Sequence, residues 1–388
     1  MRQRAAKILY IAGGLDRVKP YGAELCLLEL IAGLDRARFH PCCAVTSGDG
    51  PYVDALCDLG VAVPDLRVRA GLGIGIKSAA TAFRTARRLL AIAGRIRPDL
   101  IHVNSVPLNP YGALIGRTLG IPVVCQVHSS VSPRSYFSRA VFAADRVVVV
   151  AKAVAAPWPR LARNRRRLRV VYNGINPASF RFSHEHRVQE RKRLGLTDDT
   201  FAVGVVSRIS PEKGIETLLR SLQAESVSGT RALALVAGDA PPELDDYSAR
   251  IRRLSEELGV ASRVKFLGYV DPISDLYSAF DALVLPSNEE GFPRVVLEAM
   301  AAERPVIATL AGGLPEIITH EETGLLVPRQ DPEALAAAIA RLARDRALCE
   351  RLGKAGRARV EGDFTLSGYV RAFEHVYGEL TAADTQAA

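Results

Sequence analysis

Short runs of β-branched and other apolar residues alternate along the chain with stretches whose apolar residues recur at helical spacing. In the first half, the apolar runs predict six strands: Lys7–Ala12, Pro41–Thr46, Leu100–Val103, Val123–Val127, Arg146–Val150 and Arg169–Val171. The intervening segments predict helices, among them Ala23–Leu34, Ala79–Ile96 and Tyr111–Leu119. This alternation is typical of a parallel sheet with helices on both faces.

A second series of the same kind follows, with six further predicted strands: Phe201–Val206, Ala232–Ala237, Val264–Leu267, Ala282–Leu285, Val306–Ala308 and Leu325–Val327. Helices are predicted between them, for example at Ile215–Leu222, Asp245–Leu258 and Pro293–Ala302. The pattern therefore predicts an α/β protein with two tandem, doubly wound, Rossmann-like domains. Because open parallel sheets bind ligands beyond the carboxyl ends of their strands, a ligand cleft between the domains is expected.

The join between the domains is expected between Asn173 and Leu196, where Phe182–Arg187 is polar and lacks apolar periodicity. We place an N-terminal domain at residues 1–180 and a C-terminal domain at 181–362. Residues 363–388 are expected to form a C-terminal helix, which could pack back on the N-terminal domain, and a frayed tail.

Length and composition agree with this interpretation, since 388 residues suit two domains and 48% hydrophobic residues are typical of a globular protein. The basic N-terminus leads into only a short apolar run before Gly13, which predicts a first strand rather than a signal peptide. No apolar run approaches the roughly 20 residues of a membrane span. The cysteines lack CxxC pairing and predict reduced, buried thiols in a cytoplasmic protein: Cys26, Cys42, Cys43, Cys57, Cys125 and Cys349.

The net charge of +9 is partly explained by one cluster of arginines: Arg160, Arg163, Arg165, Arg166, Arg167 and Arg169. Such a cluster favours anionic lipid or phosphorylated substrates, although a solvated helix end would carry the same residues. Nucleic acid is not expected, because no aromatic residues interleave with these arginines. The segment Pro133–Phe142 mixes arginines with aromatics and is interpreted as a membrane-surface segment or a packed connecting helix.

Two cations flank the loop after the strand at 201–206. Arg208 and Lys213 lie five residues apart, and Gly214 then leads into a predicted helix. An arginine fork and a lysine point charge beside the positive end of a helix form a clamp for a diphosphate. Surface loops often contain such residues, so this signal is weak by itself.

Two carboxylates follow the strand at 282–285. Glu290 lies in the loop, Pro293 suits the first turn of the next helix, and Glu298 lies further along that apolar helix. A carboxylate among apolar residues needs a partner, which could be a salt bridge or two vicinal hydroxyls of a ribose. After the next strand, Gly312 and Gly313 allow the backbone to approach a ligand closely.

Taken together, these segments resemble the family-four retaining glycosyltransferases. The resemblance rests on Arg208 with Lys213-Gly214, on Glu290-Gly291-Phe292-Pro293 with Glu298, on Gly312–Glu316 and on Gly324–Pro328. Asn173-Gly174-Ile175 is similar to another element of the family. The family's fold is GT-B, two Rossmann-like domains with an interdomain cleft.

The resemblance implies roles for the residues that match. Arg208 and Lys213 would neutralise the donor diphosphate, Glu298 would bind the ribose, and Glu290 would contact the transferred sugar. The donor site would also include the backbone from Gly291 to Val295, that is Gly291, Phe292, Pro293, Arg294 and Val295.

The first-domain loops depart more from the family pattern. Tyr21 stands where the family has the first of two glycines before its first helix, and Gly22 keeps the second, so an altered acceptor pocket is expected. His128 follows a strand and matches a family histidine that contacts the donor sugar. From the residues alone, a structural role for this histidine is the more common one. Asn104 and Ser105 are weaker candidates for acceptor contacts.

No Asp-x-Asp triplet occurs, so neither a metal nor another cofactor is expected, and Arg208 and Lys213 would replace the metal. Together with the resemblance, which implies retention of configuration, the sequence predicts a metal-independent glycosyltransferase. The expected donor is a UDP-sugar, and GDP-mannose is the second candidate. The acceptor would be a glycan, glycolipid or polyprenyl-linked sugar in bacterial cell-surface polysaccharide synthesis, at the inner face of the membrane. The alternatives are a nucleotide-sugar epimerase and a non-catalytic sugar-nucleotide binding module. A dehydrogenase is disfavoured because no clean GxGxxG fingerprint opens either domain.

Overall fold

The structure is a computed structural model that describes residues 4–13, 22–46, 50–64, 76–129, 139–164, 166–241 and 244–381. The chain forms two compact units. The first comprises Met1–Asn173 and Leu366–Ala388, and the second comprises Gly174–Thr365. The structure thus divides the chain at 173/174 and 365/366, where the sequence suggested 180/181 and 362/363.

The first unit is built on a six-stranded parallel sheet with the strand order β2-β1-β3-β4-β5-β6. Its strands are β1 (Ala6–Ala12), β2 (Phe39–Val45), β3 (Leu100–Val103), β4 (Val123–Val127), β5 (Arg146–Val149) and β6 (Leu168–Val170). Its helices are α1 (Gly22–Gly33), α2 (Pro51–Asp58), α3 (Ile76–Ile96), α4 (Asn109–Leu119), α5 (Lys152–Ala155), α6 (Pro159–Ala162) and the C-terminal α16 (Leu366–Thr381). Short 3₁₀ turns lie at Val106–Leu108 and Val141–Ala143.

The second unit repeats this plan with the strand order β12-β11-β10-β7-β8-β9. Its strands are β7 (Phe201–Val206), β8 (Ala232–Ala237), β9 (Val264–Gly268), β10 (Ala282–Leu285), β11 (Val306–Thr309) and β12 (Leu325–Val327). Its helices are α7 (His184–Arg193), α8 (Ile215–Gln223), α9 (Glu225–Ser228), α10 (Asp245–Glu257), α11 (Ile273–Ala279), α12 (Arg294–Ala301), α13 (Leu314–Ile317), α14 (Pro332–Arg344) and α15 (Arg346–Asp363).

Helix α16 belongs to the first unit, although it follows the whole second unit in sequence. It packs against α1 and contributes Phe373 and Tyr377 to the core of that unit. The Tyr377 hydroxyl lies 2.6 Å from Nδ1 of His102 and accepts a hydrogen bond from the Tyr10 hydroxyl at 3.2 Å. Burial lowers the pKa of His102 to about 3, so this histidine is neutral and contributes to the core as a polar but uncharged side chain.

The polar stretch without apolar periodicity in which the sequence placed the join contains helix α7, which covers residues 184–193. The Ser183 hydroxyl caps the helix by accepting a hydrogen bond from the His186 amide. Arg187 and Arg191 then reach Asp281 at 2.6 and 3.1 Å. The helix is therefore attached to its unit by ion pairs rather than by an apolar stripe, and apolar periodicity cannot reveal such a helix.

Two further findings bear on the expectations from composition. Within the described residues, no helix is long and apolar enough to cross a membrane. All six cysteines are free thiols and four are buried, but Cys57 is exposed and Cys349 is half-buried, so the expectation of buried thiols was wrong for these two. Cys57 lies in the amphipathic helix α2, on the side turned towards water.

Candidate active site

The predicted donor-side residues lie on the loops after β7, β10 and β11, which are neighbouring strands of the second sheet. The sheet reverses its winding between β10 and β7, because β7 pairs with β10 on one side and with β8 on the other. Loops on both sides of such a switch point diverge and leave a crevice at the carboxyl edge of the sheet. Residues predicted from three separate segments are therefore brought to one edge.

Lys213 and Glu290 form an ion pair across this edge, with 2.7 Å between Nζ and Oε1. The same Oε1 accepts a hydrogen bond from the hydroxyl of Ser287, also at 2.7 Å. The side chain of Glu290 is 7% exposed and that of Lys213 is 18% exposed, so little water screens the pair. Both bonds converge on one carboxylate oxygen, which fixes the orientation of the Glu290 side chain.

Glycine at two positions makes this arrangement possible. Gly214 has a φ of +67°, and a Cβ there would overlap the carbonyl oxygen of Pro286. Gly312 has a φ of +49°, and a Cβ there would overlap the carbonyl oxygen of Glu290. The amide of Gly313 donates to the carbonyl of Gly291 at 3.0 Å. In the structure, the paired glycines Gly312 and Gly313 thus allow their loop to approach the backbone of residues 290–291 closely.

Arg208 pairs with a carboxylate that the sequence did not single out. Its Nη2 lies 3.1 Å from Oε1 of Glu212, and the Ser210 hydroxyl donates to the same oxygen at 2.7 Å. Burial alone would raise the pKa of Glu212, but the hydrogen bonds from Ser210 and its own amide, with the charges of Arg208 and Lys213, lower it. Glu212 is therefore an anion that counterbalances the cationic loop.

Glu298 has partners within its own unit. The Tyr277 hydroxyl donates to Oε2 at 2.8 Å, and Nε of Arg294 lies 3.5 Å from Oε1. Burial, followed by the charge of Glu298, raises the pKa of Tyr277 well above its ordinary value, so the hydroxyl keeps its proton. Arg294 also donates to the carbonyl of Gly174 at 3.4 Å. The carboxylate that the family resemblance assigns to a ribose is therefore held in a fixed position.

The remaining donor-side residues lie between Glu290 and Glu298 in sequence. Pro293 lies at the N-cap position of α12, which begins at Arg294, one residue later than predicted. Phe292 is buried, and its ring packs edge-on against Phe364 with 5.4 Å between centroids. Val295 accepts a hydrogen bond from Tyr277 through its carbonyl at 3.4 Å.

In the first unit, the structure brings together two of the predicted residues at the carboxyl ends of β3 and β4. Nε2 of His128 lies 3.0 Å from Oδ1 of Asn104, and Nδ2 of Asn104 donates to the carbonyl of Ala23 at 3.2 Å. Burial lowers the pKa of His128 to about 4, so the ring is neutral near pH 7. Because Asn104 presents its oxygen, Nε2 carries the proton and Nδ1 is the acceptor nitrogen.

The other first-domain candidates are less informative. Gly22 is the first residue of α1, beside Ala23, and Ser105 precedes the 3₁₀ turn at 106–108 without capping it through its side chain. Tyr21 lies outside the described residues.

Two family models match this chain. The model described as Glycosyl transferases group 1 matches residues 187–359, and the model Glycosyltransferase Family 4 matches residues 20–179. An uncharacterised glycosyltransferase of Methanocaldococcus jannaschii is 32% identical over 274 residues, which cover 66% of this chain and 69% of the relative. The chain belongs to the family-four, group 1 glycosyltransferases.

Other relatives of this glycosyltransferase agree. A D-inositol 3-phosphate glycosyltransferase of Acidothermus cellulolyticus is 30% identical over 74% of this chain and 69% of its own. HepE of Anabaena, solved in complex with UDP-glucose, superposes with a TM-score of 0.83 at 26% identity and covers 96% of this chain and 100% of its own. A sucrose-phosphate synthase of Thermosynechococcus elongatus gives a TM-score of 0.82 at 27% identity, over 97% of this chain and 100% of its own. These likenesses confirm the predicted GT-B fold.

Sequence reasoning missed three residues that hold the glycosyltransferase's carboxylates and cations: Glu212, Tyr277 and Ser287. Ser287 follows β10 by two residues, and Glu212 lies between Arg208 and Lys213 in sequence. Both could therefore have been predicted from their positions in the sequence. Tyr277 lies on α11, in a segment that the sequence did not connect with Glu298.

The predicted basic cluster is divided in the structure. Arg167 donates to the carbonyls of Phe142 and Ala144 at 2.7 and 2.6 Å, and Arg169 pairs with Glu379 at 2.9 Å. The exposed members are Arg160, Arg163 and Arg166, while Arg165 and residues 133–138 of the aromatic segment lie outside the described residues.

Proposed function

We propose that this glycosyltransferase transfers a hexose from a UDP-sugar, with retention of configuration and without a metal ion. The observation that carries the proposal is the Lys213–Glu290 pair at the switch point, with Arg208 on the same loop. A departing nucleoside diphosphate needs positive charge where its negative charge develops, and preorganised cations supply it. Lys213 and Arg208 are the residues that we assign to this task.

Glu290 is assigned to the transferred sugar. Lys213 and Ser287 both bind its Oε1, so Oε2 is the oxygen that we assign to a sugar hydroxyl. A carboxylate held by two donors is a weakened nucleophile, which disfavours a covalent glycosyl–enzyme intermediate. We favour same-face attack instead: the bond from the anomeric carbon to the phosphate oxygen breaks, the acceptor oxygen bonds that carbon, and its proton passes to the departing phosphate.

His128 is assigned to the donor sugar as a neutral hydrogen-bonding residue. Its low pKa keeps a second positive charge away from a sugar that becomes oxocarbenium-like in the transition state. Its Nδ1 can accept a hydrogen bond from a sugar hydroxyl while Asn104 holds the opposite nitrogen.

HepE, which is similar over almost its whole length, was solved with UDP-glucose, and this supports UDP-glucose or a related UDP-sugar as the donor. GDP-mannose is the second candidate. For the acceptor, we propose a glycan, glycolipid or polyprenyl-linked sugar used in surface polysaccharide or glycoconjugate synthesis. The cytoplasmic face of the membrane is the proposed location.

A panel of UDP- and GDP-sugars tests the donor and the metal requirement together. We expect one UDP-sugar to raise the melting temperature and to be slowly hydrolysed, with the same rate in EDTA. Complete loss of hydrolysis in EDTA, restored by Mg²⁺, would contradict the metal-independent mechanism. Stabilisation by GDP-mannose alone would replace the UDP assignment.

A further inference from the structure

The charge of the chain is distributed very unevenly. Residues 66–173 contain nineteen lysines and arginines but only two acidic residues, Asp99 and Asp145, a net charge of +17. The whole chain carries +9, so the remaining 280 residues carry a net −8. The positive charge therefore belongs to one part of the first unit rather than to the protein as a whole.

Seven of these nineteen cations belong to α3, α4 and residues 139–143, which the topology places on one side of the first sheet. The chain passes from β1 through α1 to β2 at one edge and then reverses direction to reach β3 and β4. Because crossovers between parallel strands are right-handed, α1 lies on one face, and α3 and α4 lie on the other. The contacts agree, since α1 packs with α16 while α3 packs with α4, and α4 packs with the turn at 141–143.

We call the surface formed by α3, α4 and residues 139–143 the basic face. None of its residues is acidic. Its exposed cations are Arg84, Arg87, Arg88, Arg95, Arg117 and Arg139. The helices of the opposite face do carry acidic residues, including Glu29 on α1 and Glu374 on α16.

The basic face also exposes large apolar side chains. Phe83 on α3 is 70% exposed, Leu114 and Leu119 on α4 are 49% and 40% exposed, and Phe142 is 44% exposed. The structure describes eight exposed large apolar residues, and four of them lie here. Apolar side chains set among arginines suit the boundary between lipid headgroups and acyl chains, where arginine stems also find an apolar environment. Leucines would gain nothing from a nucleic-acid phosphate backbone.

From this combination we infer that the basic face docks the protein on an anionic lipid bilayer. The inference does not depend on the proposed donor or on the chemistry of transfer. It moves the expected membrane contact from the Arg160–Arg169 cluster, in which Arg167 and Arg169 bind within the protein, to α3 and α4.

Co-sedimentation of the full chain with vesicles tests this inference. We expect binding to phosphatidylcholine vesicles that contain about one third phosphatidylglycerol, weaker binding as salt rises, and little binding to phosphatidylcholine alone. Each arginine beside an anionic leaflet contributes about fivefold to partitioning, so Arg84→Glu/Arg87→Glu/Arg95→Glu should weaken binding on the order of a hundredfold or more.

The matched control is Arg220→Glu/Arg253→Glu/Arg371→Glu, which changes the net charge equally at exposed sites on α8, α10 and α16. It should bind within a few-fold of the wild type. Both triple variants should keep wild-type melting temperatures and nucleotide-sugar binding in the absence of vesicles, which separates a failure of docking from a failure of the proposed function.

Insertion is tested with Phe83→Trp, whose emission should be quenched by brominated lipid when vesicles are added. Four results would overturn the inference: equal loss of binding in both triple variants, equal binding to neutral vesicles, the absence of any binding at low salt, or the absence of quenching. Displacement from vesicles by stoichiometric heparin or RNA would also overturn it, since the surface would then be a general polyanion site.

Discussion

Lys213→Ala is the substitution that tests the candidate active site most directly. In the proposed mechanism, the ammonium group stabilises the charge of the departing diphosphate, and this interaction is stronger in the transition state than in the ground state. Loss of one such preorganised donor costs a factor of about 10²–10³ in turnover, or about 2.7–4 kcal/mol. We expect a fall of that size in kcat for donor hydrolysis or transfer.

The same substitution has a cost in stability that must be separated from catalysis. Among the described residues, Glu290 would keep only its hydrogen bond from Ser287 while remaining buried. Stripping the partner from a buried ion pair costs about 3–5 kcal/mol, and the partial exposure of Lys213 should reduce this to about 2–3 kcal/mol. Because folded domains are stable by about 5–15 kcal/mol, the variant should remain folded at 25 °C.

A double variant separates the two effects. Lys213→Ala/Glu290→Gln replaces the unpaired carboxylate by a neutral amide of the same shape, so it should recover most of the lost free energy of unfolding but none of the turnover. Lys354→Ala, at an exposed position on α15, serves as the matched lysine control and should change neither quantity. Turnover of Lys213→Ala within about fivefold of wild type would refute the diphosphate role.

The remaining predictions concern residues that position the site. Tyr277→Phe removes one hydrogen bond to buried Glu298 and should cost about 1–3 kcal/mol of stability and weaken nucleotide binding; unchanged UDP affinity by calorimetry would argue against Glu298 as a ligand. Gly312→Ala forces a Cβ into the Glu290 carbonyl and should lower the melting temperature and donor binding, whereas Gly229→Ala, in open space, should do neither. Because the folded-state pKa of His128 is about 4 and the unfolded value about 6.5, stability should fall as pH drops from 6.5 towards 4, by about 2 kcal/mol at pH 5. His128→Asn should reduce that pH dependence of the melting temperature but not abolish it, because buried His102, with a pKa of about 3, contributes a fall of the same sign. A profile equal to that of the wild type would show that the pKa of His128 is not depressed.

The strands were predictable because each is a run of apolar residues that parallel sheets bury on both faces. All twelve observed strands begin and end within two residues of their predicted positions. The burial of β1 shows why, since Ile8 to Ala12 are fully inaccessible to water. Such a strand can be predicted from its own apolar residues, without knowing which segments of the chain it contacts.

Features that depend on polar contacts between distant segments were not predictable. Helix α7 is stabilised by Asp281, which lies about ninety residues after Arg187 and Arg191. Tyr277 reaches Glu298 from another helix, and nothing in its own neighbourhood in sequence marks it. The division of the arginine cluster likewise depends on Glu379, which only the return of α16 brings to Arg169.

The arrangement of charges suggests how the candidate site could select a diphosphate. Lys213 and Arg208 are each paired with a carboxylate, Glu290 and Glu212 respectively. Without these anions, two cations beside a helix N-terminus would repel each other and attract any anion. With them, an incoming anion must compete with Glu212 for Arg208. A group that engages both cations at once can replace that interaction, whereas a single small anion gains too little. On the proposed function, Glu212 therefore acts as an internal competitor whose displacement favours a nucleoside diphosphate over phosphate.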